Sequence, residues 1–348
     1  MVNSSNTMFR QMADTLEMPV WKFFGPVTGH IKGHKVGLEL ELEGLGDKAF
    51  EIFGNGEVPN FSAKTDGSLQ GGAELVSVLP MSFDMALDSV DCVFDTMRKH
   101  RLRPRVSHRT STHVHLNMQD KTMRQVYTFA ACFGMLENLL TAWCGEDRDG
   151  NLFCLRTCDA KAVVFEHRRV LRGGVPNYND SHRSMALNFA ALPRFGTLEL
   201  RCMGGAEDAT SVKKWLMILE GILTVSESMT APCDAVRLMS SDGFDALIDT
   251  LVPDPKLRAE LKAIEGWEDK ILDSARATQI WASTAPWDKY REYILDNPFP
   301  ADAKALVAKT EWEIPPEQLR PVGRSLFERL PIVEPSDTDE EDNEEGLF

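Results

Sequence analysis

The chain has no run of about 18 consecutive apolar residues, the length that a membrane-spanning helix needs, so no span is expected. Its opening stretch, MVNSSNTMFRQMADTLEMP, lacks the basic start and apolar core of a secretory signal, and a cytoplasmic location is the expectation. There is no G-x-x-x-x-G-K-[ST] string, which excludes a P-loop nucleotide site. Paired cysteines at metal-ligand spacing are missing too. The seven are Cys92, Cys132, Cys144, Cys154, Cys158, Cys202 and Cys233, with Cys154 and Cys158 the one close pair. An odd, scattered set in apolar stretches reads as reduced thiols, not as a disulfide scaffold or a zinc ribbon. Positive charge is scarce: 38 Lys and Arg face 53 Asp and Glu, a net charge of -15. That balance argues against general binding of nucleic acid or anionic membranes. A local basic patch at Arg168, Arg169 and Arg172 still leaves room for a phosphate pocket.

What is present is a globular composition, 43% hydrophobic over 348 residues, enough for two domains or one large domain with additions. Residues 1–33 read as an irregular or weakly helical lead-in, 34–230 as the main core, 231–333 as a helical C-terminal region and 334–348 as a disordered acidic tail. The tail, acidic from Asp337 to Glu345, either solubilises the chain or docks on a basic partner surface. Helices are predicted near 83–97, 122–143, 208–229, 243–251, 255–264, 267–282, 286–295 and 301–309. Ser82 is placed to cap the first of these. The stretch between Glu43 and Gly72 reads as a polar, Gly-rich loop, and 151–182 as mixed with no clear element.

Four segments read as strands with polar residues on one face, and three of them alternate with period two. Val36, Leu38, Leu40 and Leu42 alternate with Gly37, Glu39, Glu41 and Glu43. Glu74 to Leu79 follows as a second strand. His113 and His115 share one side of a third, with Val114, Leu116 and Met118 on the other. In a fourth, Leu198, Leu200 and Cys202 oppose Thr197, Glu199 and Arg201, and Met185 to Ala191 reads as its partner. Side chains at i and i+2 of a strand point the same way, so each polar pair can reach one site. Any one pair alone is a common solvated face. Four in order, gathering Glu, His and Arg, point to divalent metal, and carboxylate oxygens suit magnesium or manganese beside a polyphosphate.

The ordered strings GLELE (37–41), DGSLQGGAELVS (66–77), HVH (113–115), RSMALN (183–188) and TLELR (197–201) resemble the amidoligase family, a branch of the glutamine synthetase and glutamate–cysteine ligase group. The resemblance covers about residues 36–205. It implies an α+β fold in which a curved antiparallel sheet forms an active-site funnel, with flanking helices and a helical C-terminal part. It implies that Glu39, Glu41, Glu74, His113 and Glu199 hold two or more divalent ions, that His115 lies near the ATP phosphates, and that Arg201 faces the transferred phosphoryl group. Arg183 and Asp66 are carried over for the substrate carboxylate and the amine. Such enzymes are often found in phages and mobile elements, so the resemblance also allows a phage origin.

The implied activity is ATP- and Mg-dependent joining of a carboxylate to an amine, the two substrates being small molecules or peptides. A carboxylate is a poor acyl donor until phosphorylation supplies a leaving group, and metal with Arg stabilises the charge on the moving phosphoryl. The competing reading is a metal-dependent phosphoesterase or hydrolase on the same Glu and His face. Glu43 reads as a solvated extra on the first strand. Arg156, Arg168, Arg169 and Arg172 read as an exposed basic loop, with a lid or a site for an acidic substrate as the other possibilities.

Overall fold

The computed structural model describes residues 12–24, 31–152, 154–157, 160–179 and 182–296. The chain divides into two compact units, Met1–Glu313 and Ile314–Phe348; the second, with the acidic tail, lies outside the described residues, and so does the helix expected near 301–309 at the end of the first.

Period-two alternation does form strands. Val36, Leu38, Leu40 and Leu42 of β1 (Val36–Leu42) each retain about 1% exposure, because one face of the strand is sealed by helices. Six strands make one sheet, ordered β2 (Phe61–Lys64), β3 (Ala73–Ser77), β1, β4 (Ser111–Asn117), β6 (Thr197–Gly204) and β5 (Leu187–Asn188). Every neighbouring pair is antiparallel. The register sets Glu41 opposite Glu74, Glu39 opposite His113, and His115 opposite Glu199. The polar residues of four strands therefore lie on one face.

The apolar face, with Leu38, Leu40, Leu75, Val114, Leu116, Leu198 and Leu200, joins a single buried core with the helices. After a short helix, α1 (Val20–Phe23), and α2 (Asp47–Gly54), the helices over this core include α3 (Phe83–Lys99), α4 (Met123–Cys144) and, later, α7 (Ala209–Ser228). Ser82 caps α3 by accepting from Met85 N, as its position predicts. Thr122 and Gln125 close a capping box on α4. Helix α4 is buried nearly all round, because it sits between the sheet and the later helices α8 (Cys233–Leu251) and α10 (Trp267–Ala282). Its crossing with α10 needs Gly134, where a Cβ would lie 2.8 Å from Thr278 Oγ1.

Several elements differ from the sequence-based expectation. The loop expected from Glu43 to Gly72 contains α2 and β2. Helix α2 buries only Ala49, Ile52 and Phe53, too few positions to show a helical period. The mixed stretch 151–182 contains α5 (Lys161–Val170). The strand expected over 185–191 shortens to β5, and the chain then turns through α6 (Ala191–Phe195), ended by Gly196 in the left-handed region. The helix expected over 243–251 is the second half of α8, which continues across a break at Gly243. Helix α9 (Pro255–Lys262), α10 and α11 (Ala285–Asp296) fall within a few residues of expectation. Among the described residues of the lead-in, Met12, Ala13, Leu16 and Val20 are in the core. Among the described residues, no helix is long and apolar enough to cross a membrane.

Candidate active site

The polar face of the sheet collects five carboxylates, two imidazoles and one guanidinium. His113, 2% exposed, is at the centre. Its Nδ1 lies 3.1 Å from Glu39 Oε2, 3.8 Å from Glu41 Oε1 and 3.6 Å from Glu199 Oε1. Its Nε2 is 2.7 Å from Ser111 Oγ, and Ser111 in turn donates to Glu41. His115 Nε2 lies 3.3 Å from Glu39 Oε1. On β6, Arg201 pairs with Glu199, and Asn188 Nδ2 donates to the other Glu199 oxygen at 2.6 Å. Side chains from four adjacent strands thus meet because cross-strand neighbours are only about 4.5–5.5 Å apart.

Glu74 and Asp66 reach the same face from the other side of β1. Ligand atoms of Glu41, Asp66 and Glu74 lie within 4.8 Å of one another, and so do those of Glu39, His113 and Glu199. The string G-G-A-E has a geometric reason: a Cβ at Gly72 would sit 2.4 Å from Leu42 O, so only glycine lets this turn pass close to β1 and present Glu74 opposite Glu41.

The electrostatics follow from crowding. Burial pushes the Glu74 carboxyl up, and Glu39 and Glu41 add to it, so that it reaches about 8. Burial would also raise Glu39, but His115 and His113 outweigh it and hold Glu39 well below the usual carboxylate range. Glu199 is lowered in the same way, against its burial, by His115 and Arg201. Burial disfavours charge on His115, yet Glu199 and Glu39 raise it above the ordinary imidazole value. Oxygen donors in two groups, with one imidazole, fit hard divalent ions of the magnesium or manganese kind, whose ligand distances of about 2.0–2.6 Å need donor atoms this close together. Carboxylates crowded until one keeps its proton near pH 8 are what such a cation would relieve.

Of the residues singled out in the sequence, Glu39, Glu41, Glu74, Asp66, His113, His115, Glu199 and Arg201 come together. Arg183 does not: it is exposed in the turn before β5 and has no hydrogen bond or ion pair to the cluster among the described residues. Glu43, expected to be solvated, is buried at 7%, because its Oε1 accepts from Gln70 N and pins the Gly-rich turn. Arg156 pairs with Asp273 on α10 at 2.9 Å, whereas Arg168, Arg169 and Arg172 are exposed. The sequence assigns no role to Ser111 or Asn188. Ser111 has a signal, two residues before His113 on the same strand face, and Asn188 closes the RSMALN string, but its contact with Glu199 comes from tertiary structure.

No protein-family model matches this chain, and no curated protein does. Among solved structures, a GmaS/ADP complex is similar over 82% of this chain and 74% of that one, with 14% identity and a TM-score of 0.35.

Proposed function

We propose that this chain is an ATP- and magnesium-dependent ligase that joins a carboxylate to an amine through an acyl phosphate. The observation that carries the reading is the gathering of Glu39, Glu41, Glu74, Asp66, His113, Glu199 and Arg201 at one sheet face, all from the strings on which the amidoligase resemblance rests.

In this reading Glu39, His113 and Glu199 hold one divalent ion, and Glu41, Asp66 and Glu74 a second. Bound there, the ions would neutralise phosphate charge and orient the nucleotide. The substrate carboxylate oxygen displaces ADP from the γ-phosphorus, and the acyl phosphate forms. The amine nitrogen then displaces phosphate from the acyl carbon, and its proton passes to a carboxylate of the face, with Asp66 at the rim suited to receive it. Arg201 has its Nη1 on Glu199, while its Nε is buried with no hydrogen-bond partner among the described residues. A planar donor group with an unused N–H suits it to the equatorial oxygens of the phosphoryl in flight. His115, held at Nδ1 by Thr197 Oγ1 at 3.0 Å, keeps its other nitrogen toward Glu39 and the face.

The test is a screen of amino acids and polyamines with ATP and magnesium, reading ADP release. Release that depends on both a carboxylate and an amine, with the coupled product found by mass, supports the ligase. Phosphate release from a simple phosphate ester without nucleotide would instead favour the metal-dependent hydrolase.

A further inference from the structure

The strand carrying Glu199 and Arg201 is irregular at the point where it meets His113. Thr112 pairs with Met203 and Val114 with Leu200, so β4 supplies one residue, His113, where β6 supplies two, Arg201 and Cys202. This is a β-bulge, a device that re-aims side chains beside active sites and leaves ladder groups unpaired. The β5 side gives little support, since β5 pairs only Leu187 and Asn188 with Leu200 and Glu199, followed by one more bond from Arg201 N to Ala186 O.

Arg148 fills the gap. It lies in the 3₁₀ turn Glu146–Arg148 and is 1% exposed. Its Nη2 donates to Arg201 O at 2.7 Å and its Nε to Cys202 O at 3.0 Å, the carbonyls of the two bulge residues. A guanidinium presents N–H groups on separate nitrogens in a fixed plane, so Arg148 ties both carbonyls in one rigid geometry, whereas an ammonium would offer its donors from a single rotatable nitrogen.

We propose that Arg148 is a positioning residue: it locks the bulge and so aims the Arg201 side chain at Glu199 and His113. The inference rests on the ligase reading for its kinetic consequence, though not for its geometry. Arg148 also lines a cleft of about 360 Å³, with Arg156, Lys270, Asp149 and Asp273 on its walls. Truncation of Arg148, which lines this cleft, would extend it toward the two carbonyls.

The experiment compares wild type, Arg148→Met and Arg148→Lys in the intact chain. For Arg148→Met, kcat should fall about 100-fold, the scale of a misplacement of about 1 Å at a catalytic group, while KM for ATP and Mn2+ affinity stay within about threefold. Millimolar guanidinium chloride should restore at least a tenth of the lost kcat by entering through the cleft, without effect on wild type. Arg148→Lys should retain an intermediate rate, and it carries the test if Arg148→Met does not fold. Wild-type kcat in both variants, or a loss that guanidinium leaves untouched, overturns the proposal. If wild type shows no acceptor-dependent ADP release, the ligase reading fails and amide hydrogen exchange decides this one. Faster exchange over 199–204 in the variants, slowed again by guanidinium, supports the lock; unchanged exchange sinks it.

Discussion

Glu74 offers the sharpest quantitative test of the crowded carboxylate face. With no divalent ion bound, its proton is held to about 8 by burial and by Glu39 and Glu41, against an ordinary value of 4.5. The native state therefore binds more protons than the unfolded chain between those two values, and stability should fall as pH rises through that window. At 1.36 kcal/mol per pH unit, the gap is worth roughly 5 kcal/mol at its limit, with a few kcal/mol the realistic yield after relaxation and screening. The assay is urea unfolding of metal-free protein from pH 5 to pH 9, with wild type beside Glu74→Gln. The wild-type midpoint should drop as pH rises, the glutamine variant should drop less, and saturating magnesium should flatten the wild-type slope. Magnesium binding should also expel the proton: about 0.9 protons from this group at pH 7 and about 0.1 at pH 9, measured by titration calorimetry in buffers of different ionisation enthalpy. Equal slopes for the two proteins, or no proton release at pH 7, would refute the crowding argument.

Glu41→Gln keeps the size of the side chain but loses charge at the junction of both carboxylate groups, and should abolish acceptor-dependent ADP release while the melting temperature holds; unchanged turnover and magnesium affinity would remove Glu41 from the site. Arg201→Lys should lower kcat at least about 100-fold while ADP binding is largely kept, because a point charge cannot replace the planar fork. Calorimetry of ADP separates that outcome from a simple loss of nucleotide binding. His167 is packed against Tyr127, Phe189 and Trp281 with ring centroids 4.4–5.0 Å away, and burial lowers it to about 3. Its contribution to stability should be complete above its unfolded value of 6.5 and be lost as pH falls toward 3, up to roughly 5 kcal/mol in the limit. His167→Phe should flatten that acid limb, as followed by circular dichroism from pH 7 to pH 3.

Period-two alternation with carboxylate, imidazole and guanidinium side chains made the polar sheet face legible in the sequence, because strand geometry fixes which side chains share a face whatever else the chain does. Glu39 with Glu41, His113 with His115 and Glu199 with Arg201 could be paired on that ground alone. So could the Ser82 cap and the long apolar helix over 123–144, whose signals are local. Which strands are neighbours was not local information. That β1 lies between β3 and β4, setting Glu41 against Glu74 and Glu39 against His113, follows from burial of one shared apolar face. Glu43 looked solvated because its alternation resembles that of Glu39; a turn from Gln70 to Gly72 folding over the strand end buries it instead. Helix α2 and strand β2 escaped notice because eight and four residues carry too few apolar positions to show a period. The bulge opposite His113 and the Arg148 that holds it are set by tertiary structure alone. An unpaired carbonyl exists only once two strands of unequal residue count have paired, and no residue type in either strand announces it.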